Sequence, residues 1–67
     1  MENNIKDLRK NKKISQAKLA ELCNVTRQTV NAIENDKYDP TLQLAFDLAK
    51  QLETTVDELF TPKKKSK

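Results

Sequence analysis

Between Ser15 and Asn35 the chain reads Ser-Gln-Ala-Lys-Leu-Ala-Glu-Leu-Cys-Asn-Val-Thr-Arg-Gln-Thr-Val-Asn-Ala-Ile-Glu-Asn, and no other stretch narrows the fold as much. It holds two helix-starting residues, Ser15 and Thr26, each ahead of apolar residues at helical spacing. Leu19, Ala20 and Cys23 share one face of the first segment, and Val30 and Ile33 share one face of the second. Between them stands Asn24, a residue that tolerates the left-handed backbone of a tight turn. Two short helices with a tight turn between them follow, with Val25 a buried turn residue. If Val30 and Ile33 point inward, helical geometry leaves Arg27, Gln28 and Asn31 exposed on the opposite side.

The same logic carries along the chain. Ile5 and Leu8 lie three apart and predict a first helix from about Asn4 to Asn11. Asn35 to Pro40 reads as a loop, because Pro40 keeps Asp39 out of helical backbone. Thr41 caps a fourth helix with a broad apolar stripe of Leu44, Ala45, Leu48, Ala49 and Leu52. Glu53 and Thr54 break it. Thr55 and Glu58 then have the spacing of a capping box for a short fifth helix carrying Val56, Leu59 and Phe60. The expectation is an all-α, five-helix domain over residues 4–61, followed by a basic and disordered tail over 62–67.

Composition narrows the function. A chain of 67 residues makes one domain that buries only about 60% of its unfolded surface, so added burial against a second copy is useful. No apolar run approaches a membrane span, and the N-terminus lacks a signal peptide's apolar stretch, so a cytoplasmic protein without a membrane partner is expected. One cysteine excludes an internal disulfide, and without histidine there is no ligand set for zinc. The absence of glycine removes Gly-rich phosphate loops. No pair of residues suggests a catalytic mechanism, so no enzyme, cofactor or small-molecule ligand is expected. Charge is unevenly spread. From Lys6 to Lys37 eight basic residues face four acidic ones, whereas from Tyr38 to Pro62 one lysine faces five acidic residues. A positive front half beside a negative quarter argues for an oriented contact with a polyanion.

These residues resemble the Cro/cI-type helix-turn-helix family of repressors, often called Xre-like, from about Ile5 to Phe60. Gln16 at the start of the second helix, Ala20 at the helix crossing, Val25 in the turn, and Val30 and Ile33 inside the third helix carry the resemblance. Ile14-Ser15-Gln16, Pro40-Thr41-Leu42 and the closing Val56-Asp57-Glu58-Leu59-Phe60 match the family's usual wording. Ala20 must be small, because two steeply packed helices bring their backbones together there. Members usually have glycine where this chain has Asn24, and often where it has Lys13, Asp36 and Glu53. If those positions are left-handed, Lys13 and Glu53 each cost about 1 kcal/mol.

The resemblance implies a lambda-repressor-like DNA-binding domain whose third helix, about residues 26–35, lies in the major groove of double-stranded DNA. Thr26, Arg27, Gln28 and Asn31 are then the expected base contacts, with Arg27 suited to guanine or to a phosphate and Gln28 to adenine. Thr26 serves equally as a helix cap. Gln16, Thr29, Asn35, Lys37, Tyr38 and Thr41 are the expected phosphate contacts, and for Tyr38 packing against the loop is the equal alternative. Arg9 and Glu34 match a structural ion pair of the family. Leu59 and Phe60 are the expected interface of a homodimer, since members commonly dimerise through the last helix. The implied function is a transcription regulator, a repressor, on an inverted-repeat operator. The rival is a protein-interaction module of the same fold, an antirepressor or antitoxin-like partner.

Overall fold

Ser15, Thr26, Thr41 and Thr55 each accept a hydrogen bond on the side-chain oxygen from the backbone N–H three residues on, at 3.0 Å for Ser15 and 3.2 Å for the threonines. Each opens a helix. The computed structural model describes residues 2–60 and contains α1 (Ile5–Asn11), α2 (Gln16–Leu22), α3 (Arg27–Glu34), α4 (Leu42–Gln51) and α5 (Val56–Leu59). Among the described residues there is no strand, and no helix is long and apolar enough to cross a membrane. The architecture is all-α with five helices. The basic tail expected over 62–67 lies outside the described residues, as does Thr61.

One apolar cluster holds the helices together. Ile5 of α1, Leu19 of α2, Val30 of α3, Leu48 of α4 and Leu59 of α5 are all fully buried, so every helix contributes a side chain. Full burial of such a side chain stabilises by about 1.5–3 kcal/mol relative to exposure. Ala20 is buried where α2 and α3 make the most extensive packing in the protein. Val25 is only half-buried, a lid on the core rather than part of it. Leu59 corrects a sequence-based expectation more sharply: with no exposed surface, it belongs to the protomer's own core and has nothing to offer a second copy. Phe60 is half-buried against the same core. The Thr55 cap also differs from a reciprocal capping box, because the Glu58 carboxylate accepts from the Thr54 hydroxyl at 3.0 Å.

The first four helices all end in one way. Lys13, Asn24, Asp36 and Glu53 have φ of 60°, 63°, 61° and 56°. At each, the N–H of the left-handed residue and the N–H of its successor turn back to carbonyls in the last helical turn. Around Asn24 these bonds are Asn24 N to Glu21 O at 3.2 Å and Val25 N to Ala20 O at 2.9 Å. This is the Schellman arrangement, and glycine normally occupies its left-handed position. A chain without glycine therefore closes all four of these turns with a residue that carries a side chain. Asn24 and Asp36 suit that backbone, whereas Lys13 and Glu53 do not. Lys13→Gly is accordingly expected to stabilise the fold by about 1 kcal/mol, raising the Tm by about 4–8 °C in a thermal melt. An unchanged or lower Tm would show the strain to be offset elsewhere.

The N-terminus is tied down by two asparagines. Buried Asn3 accepts from Ile5 N at 3.1 Å, and its amide donates to the Ile33 carbonyl at 2.7 Å and to Asp36 Oδ1 at 3.2 Å. It thus starts α1 while closing the C-terminal end of α3. Asn4 donates its backbone N–H to Leu59 O at 2.7 Å and its side-chain amide to Glu58 O at 2.9 Å, fastening the same segment to α5. Asn3→Ala leaves the buried Ile5 N–H without its acceptor and the Ile33 carbonyl with only the bond from Asp36 N at 3.1 Å, and is expected to cost about 1–3 kcal/mol in urea unfolding. A loss below that range would mean that water replaces the amide.

Candidate nucleic-acid interface

The chemistry of this protein gathers on the outward face of α3. Val30 and Ile33 are driven into the core, so the opposite side of α3 looks out, and Arg27, Gln28 and Asn31 are exposed. The Thr26 cap fixes where the helix begins and so how these side chains are arrayed. Together with Gln16 from the first turn of α2, Arg27, Gln28 and Asn31 line an open depression of about 390 Å³. Guanidinium and carboxamide groups supply donors and acceptors side by side, the inventory that pairs with base edges and phosphate oxygens.

Behind the depression runs a chain of polar contacts that begins in the interior. Arg9 donates from Nε to Glu34 Oε2 at 2.7 Å and from Nη2 to Oε1 at 3.3 Å. A third bond goes from Nη1 to the Ile14 carbonyl at 2.9 Å. The two side chains are only 11% and 3% exposed, so this is a buried ion pair joining α1 to the last turn of α3. Gln16 Nε2 donates to Glu34 Oε1 at 3.0 Å, and Gln16 Oε1 accepts from Asn31 Nδ2 at 3.5 Å. Asn35 donates to the Asn31 carbonyl at 3.0 Å and to its Oδ1 at 3.2 Å. Gln16 is thus held by the buried carboxylate and in turn steadies Asn31, a role that its place at a helix start did not announce.

The remaining predicted contacts divide by position. Thr29 and Thr26 bond each other through their hydroxyls at 3.0 Å. Thr41 is occupied in capping α4 through Leu44 N. Lys37 is exposed just past the turn that ends α3, its backbone N–H bonded to Ala32 O at 2.8 Å. Tyr38 is half exposed and borders the outer side of α3 together with Thr29 and Ala32. Thr26, Thr29 and Tyr38 thus line a second depression, which shares Gln28 with the first. Cys23 takes no part: it is buried, and burial first, then the Asp47 charge, pushes its thiol pKa up, leaving it protonated and inert near neutral pH. The exposed Lys12–Glu53 pair, at 2.8 Å, joins the turns at Lys13 and Glu53, and the hydrogen bond from Lys12 lowers the Glu53 pKa. Stability from that pair is lost as pH falls through the Glu53 pKa.

This arrangement, a two-helix unit with a polar outward face on the second helix, matches a known family model described as Helix-turn-helix over residues 5–59. The chain belongs to the Cro/cI-type, Xre-like helix-turn-helix family. Its helix-turn-helix relatives include uncharacterized HTH-type transcriptional regulators from Bacillus subtilis, YgzD, and from Methanocaldococcus jannaschii. YgzD is 43% identical over 90% of this chain and 91% of its own, and the archaeal relative 42% identical over the same shares. Among solved structures, the P22 c2 repressor in complex with a synthetic operator superposes with a TM-score of 0.83. It is 28% identical and covers 87% of this chain and 88% of its own. The five-helix fold is that of the lambda-repressor-like helix-turn-helix proteins, and the family is one of DNA-binding transcription regulators.

Proposed function

We propose that this protein is a sequence-specific, non-enzymatic repressor that binds an inverted-repeat operator as a homodimer. The observation that carries the reading is the depression on α3, where Gln16, Arg27, Gln28 and Asn31 present convergent donors and acceptors at the surface of a basic half-chain. In this reading Thr26, Arg27, Gln28 and Asn31 contact base edges in the major groove, with Gln28 on adenine N6 and N7 and Arg27 on guanine O6 and N7. Gln16, Asn35, Lys37, Tyr38 and Thr41 hold phosphates on either flank and set the register. The synthetic operator in complex with the P22 c2 repressor supports DNA as the partner here.

A protomer this small grips few phosphates, so a two-fold partner supplies affinity and explains an inverted repeat, with recognition helices about 34 Å apart on successive major-groove faces. With Leu59 buried, the most exposed large apolar side chains offered to that partner are Leu42 and Phe46, one turn apart on α4 and 70% and 55% exposed, together with the half-buried Phe60. Repression follows from occluding a promoter. Two experiments test the reading. Selection from random-sequence duplexes is expected to enrich a short inverted repeat, and sedimentation to find two protomers on it. Phe46→Asp is expected to shift the free protein from dimer toward monomer. A selection that enriches nothing would move the assignment to a protein partner, and a dimer indifferent to Phe46→Asp would place the contact away from Phe46.

A further inference from the structure

The polar row behind the α3 depression has a direction. The Glu34 carboxylate, paired with Arg9, can only accept, so the Gln16 amide must turn its nitrogen toward it. That bond runs from Nε2 to Glu34 Oε1 at 3.0 Å. Gln16 Oε1 is left facing Asn31, whose Nδ2 donates to it at 3.5 Å. Asn31 Oδ1 then lies toward Asn35, whose Nδ2 donates to it at 3.2 Å. The far end is fixed independently. The same Asn35 nitrogen also donates to the main-chain carbonyl of Asn31 at 3.0 Å, and a carbonyl too can only accept. Three side-chain amides thus stand head to tail between two groups that only accept. Turning any one of them over sets nitrogen against nitrogen or oxygen against oxygen.

A side-chain amide that is free to turn offers a donor or an acceptor at the same place, and so distinguishes bases poorly. A locked one offers each in a fixed place, and base pairs differ in the major groove by the order of these groups. Asn31 is the exposed member of the row that lines the depression beside Arg27 and Gln28. We propose that the buried Glu34 carboxylate sets a base preference in each half-site without touching DNA, by fixing through Gln16 which end of the Asn31 amide donates. Glu34 and Gln16 are positioning residues, and Asn31 makes the contact. The inference rests on the reading of α3 as the DNA-reading helix and deepens it. Asn31 pairs with adenine, accepting from N6 and donating to N7, in one orientation of the base pair only. The part given to Gln16 also grows, since a phosphate contact alone was expected of it.

The test measures affinity for the duplex obtained by selection and for each of its single-base-pair substitutions. Asn31→Ala is expected to abolish the preference at one base pair per half-site, which locates the contact. Gln16→Met keeps the volume and drops the amide. It should lower the preference at that same base pair from about tenfold to about threefold and leave the other positions unchanged. A residue that only held a phosphate would instead weaken binding to all sequences alike. In the Asn31→Ala background Gln16→Met should change discrimination no further. Glu34→Gln reverses the row. Arg9 can only donate and so takes the new amide oxygen, which turns the new nitrogen toward Gln16. A folded Glu34→Gln variant should therefore select a different base pair at the Asn31 position; if it melts too low to assay, Gln16→Met decides. An unchanged preference there in Gln16→Met would overturn the relay while leaving α3 as the reader. So would the parent's base pair selected by folded Glu34→Gln, or an Asn31→Ala variant that keeps every preference. Failure to select any tight duplex would overturn both.

Discussion

Glu34→Ala is expected to cost about 3–5 kcal/mol, enough to leave a domain of this size largely unfolded at 37 °C. The physical reason is what the substitution strands. Glu34 is 3% exposed and accepts from Arg9 twice and from Gln16 once, at 2.7, 3.3 and 3.0 Å. Removing the carboxylate leaves a guanidinium that is 11% exposed with only the Ile14 carbonyl as partner. The pair as a whole is a different matter, since two buried charges lose most of their attraction to desolvation. Arg9→Met with Glu34→Leu is therefore expected to recover most of the stability in a thermal melt. It should not recover full DNA binding, because Gln16 has lost its anchor and Asn31 its brace. A loss below about 1 kcal/mol for Glu34→Ala would mean that water screens the pair.

The second large effect is on binding alone. Arg27→Ala with Gln28→Ala removes two exposed side chains that contribute nothing to the core, so the Tm should stay close to that of the parent. Each good bidentate base contact discriminates by about 1–3 kcal/mol, and a dimer makes each contact twice. Specific affinity should therefore drop about a hundredfold or more, toward the level of salt-sensitive binding to any duplex. Lys37→Ala offers a contrast, since losing a phosphate contact weakens binding to all sequences alike and lowers the salt dependence by about one counterion per protomer. If the double alanine variant melts normally and still selects the operator, α3 is not the reader.

Most of the helical framework could be read from single residues because its causes are local. A hydroxyl three residues ahead of a backbone N–H caps a helix wherever it occurs, so Ser15, Thr26, Thr41 and Thr55 announce themselves. The left-handed turns at Lys13, Asn24, Asp36 and Glu53 follow from where the apolar periodicity stops and what related chains place there. What escaped were roles set by distant partners. Asn3 looks like a polar residue in a loose terminus; its partners Ile33 and Asp36 reach it only after the chain has folded back on itself. Leu59 shows an apolar residue on a short helix, and periodicity does not reveal whether its own core or a second copy covers it. Gln16 at a helix start has the place of a phosphate holder, and only the tertiary approach of Glu34 and Asn31 makes it a brace as well. Thr29 is of the same kind, because Thr26 one turn earlier settles which way its hydroxyl faces.

In the proposed function the outward face of α3 reads a DNA sequence. Fluorescence anisotropy addresses it directly, with the full chain titrated into a labelled duplex from just upstream of its own gene, in physiological salt and excess unrelated DNA. Small repressors that regulate themselves bind there, and binding that is tight and resists the competitor is the expected result. Binding that disappears under competitor, on this duplex and on the best duplex obtained by selection, would contradict the claim and leave a protein as the partner of this face.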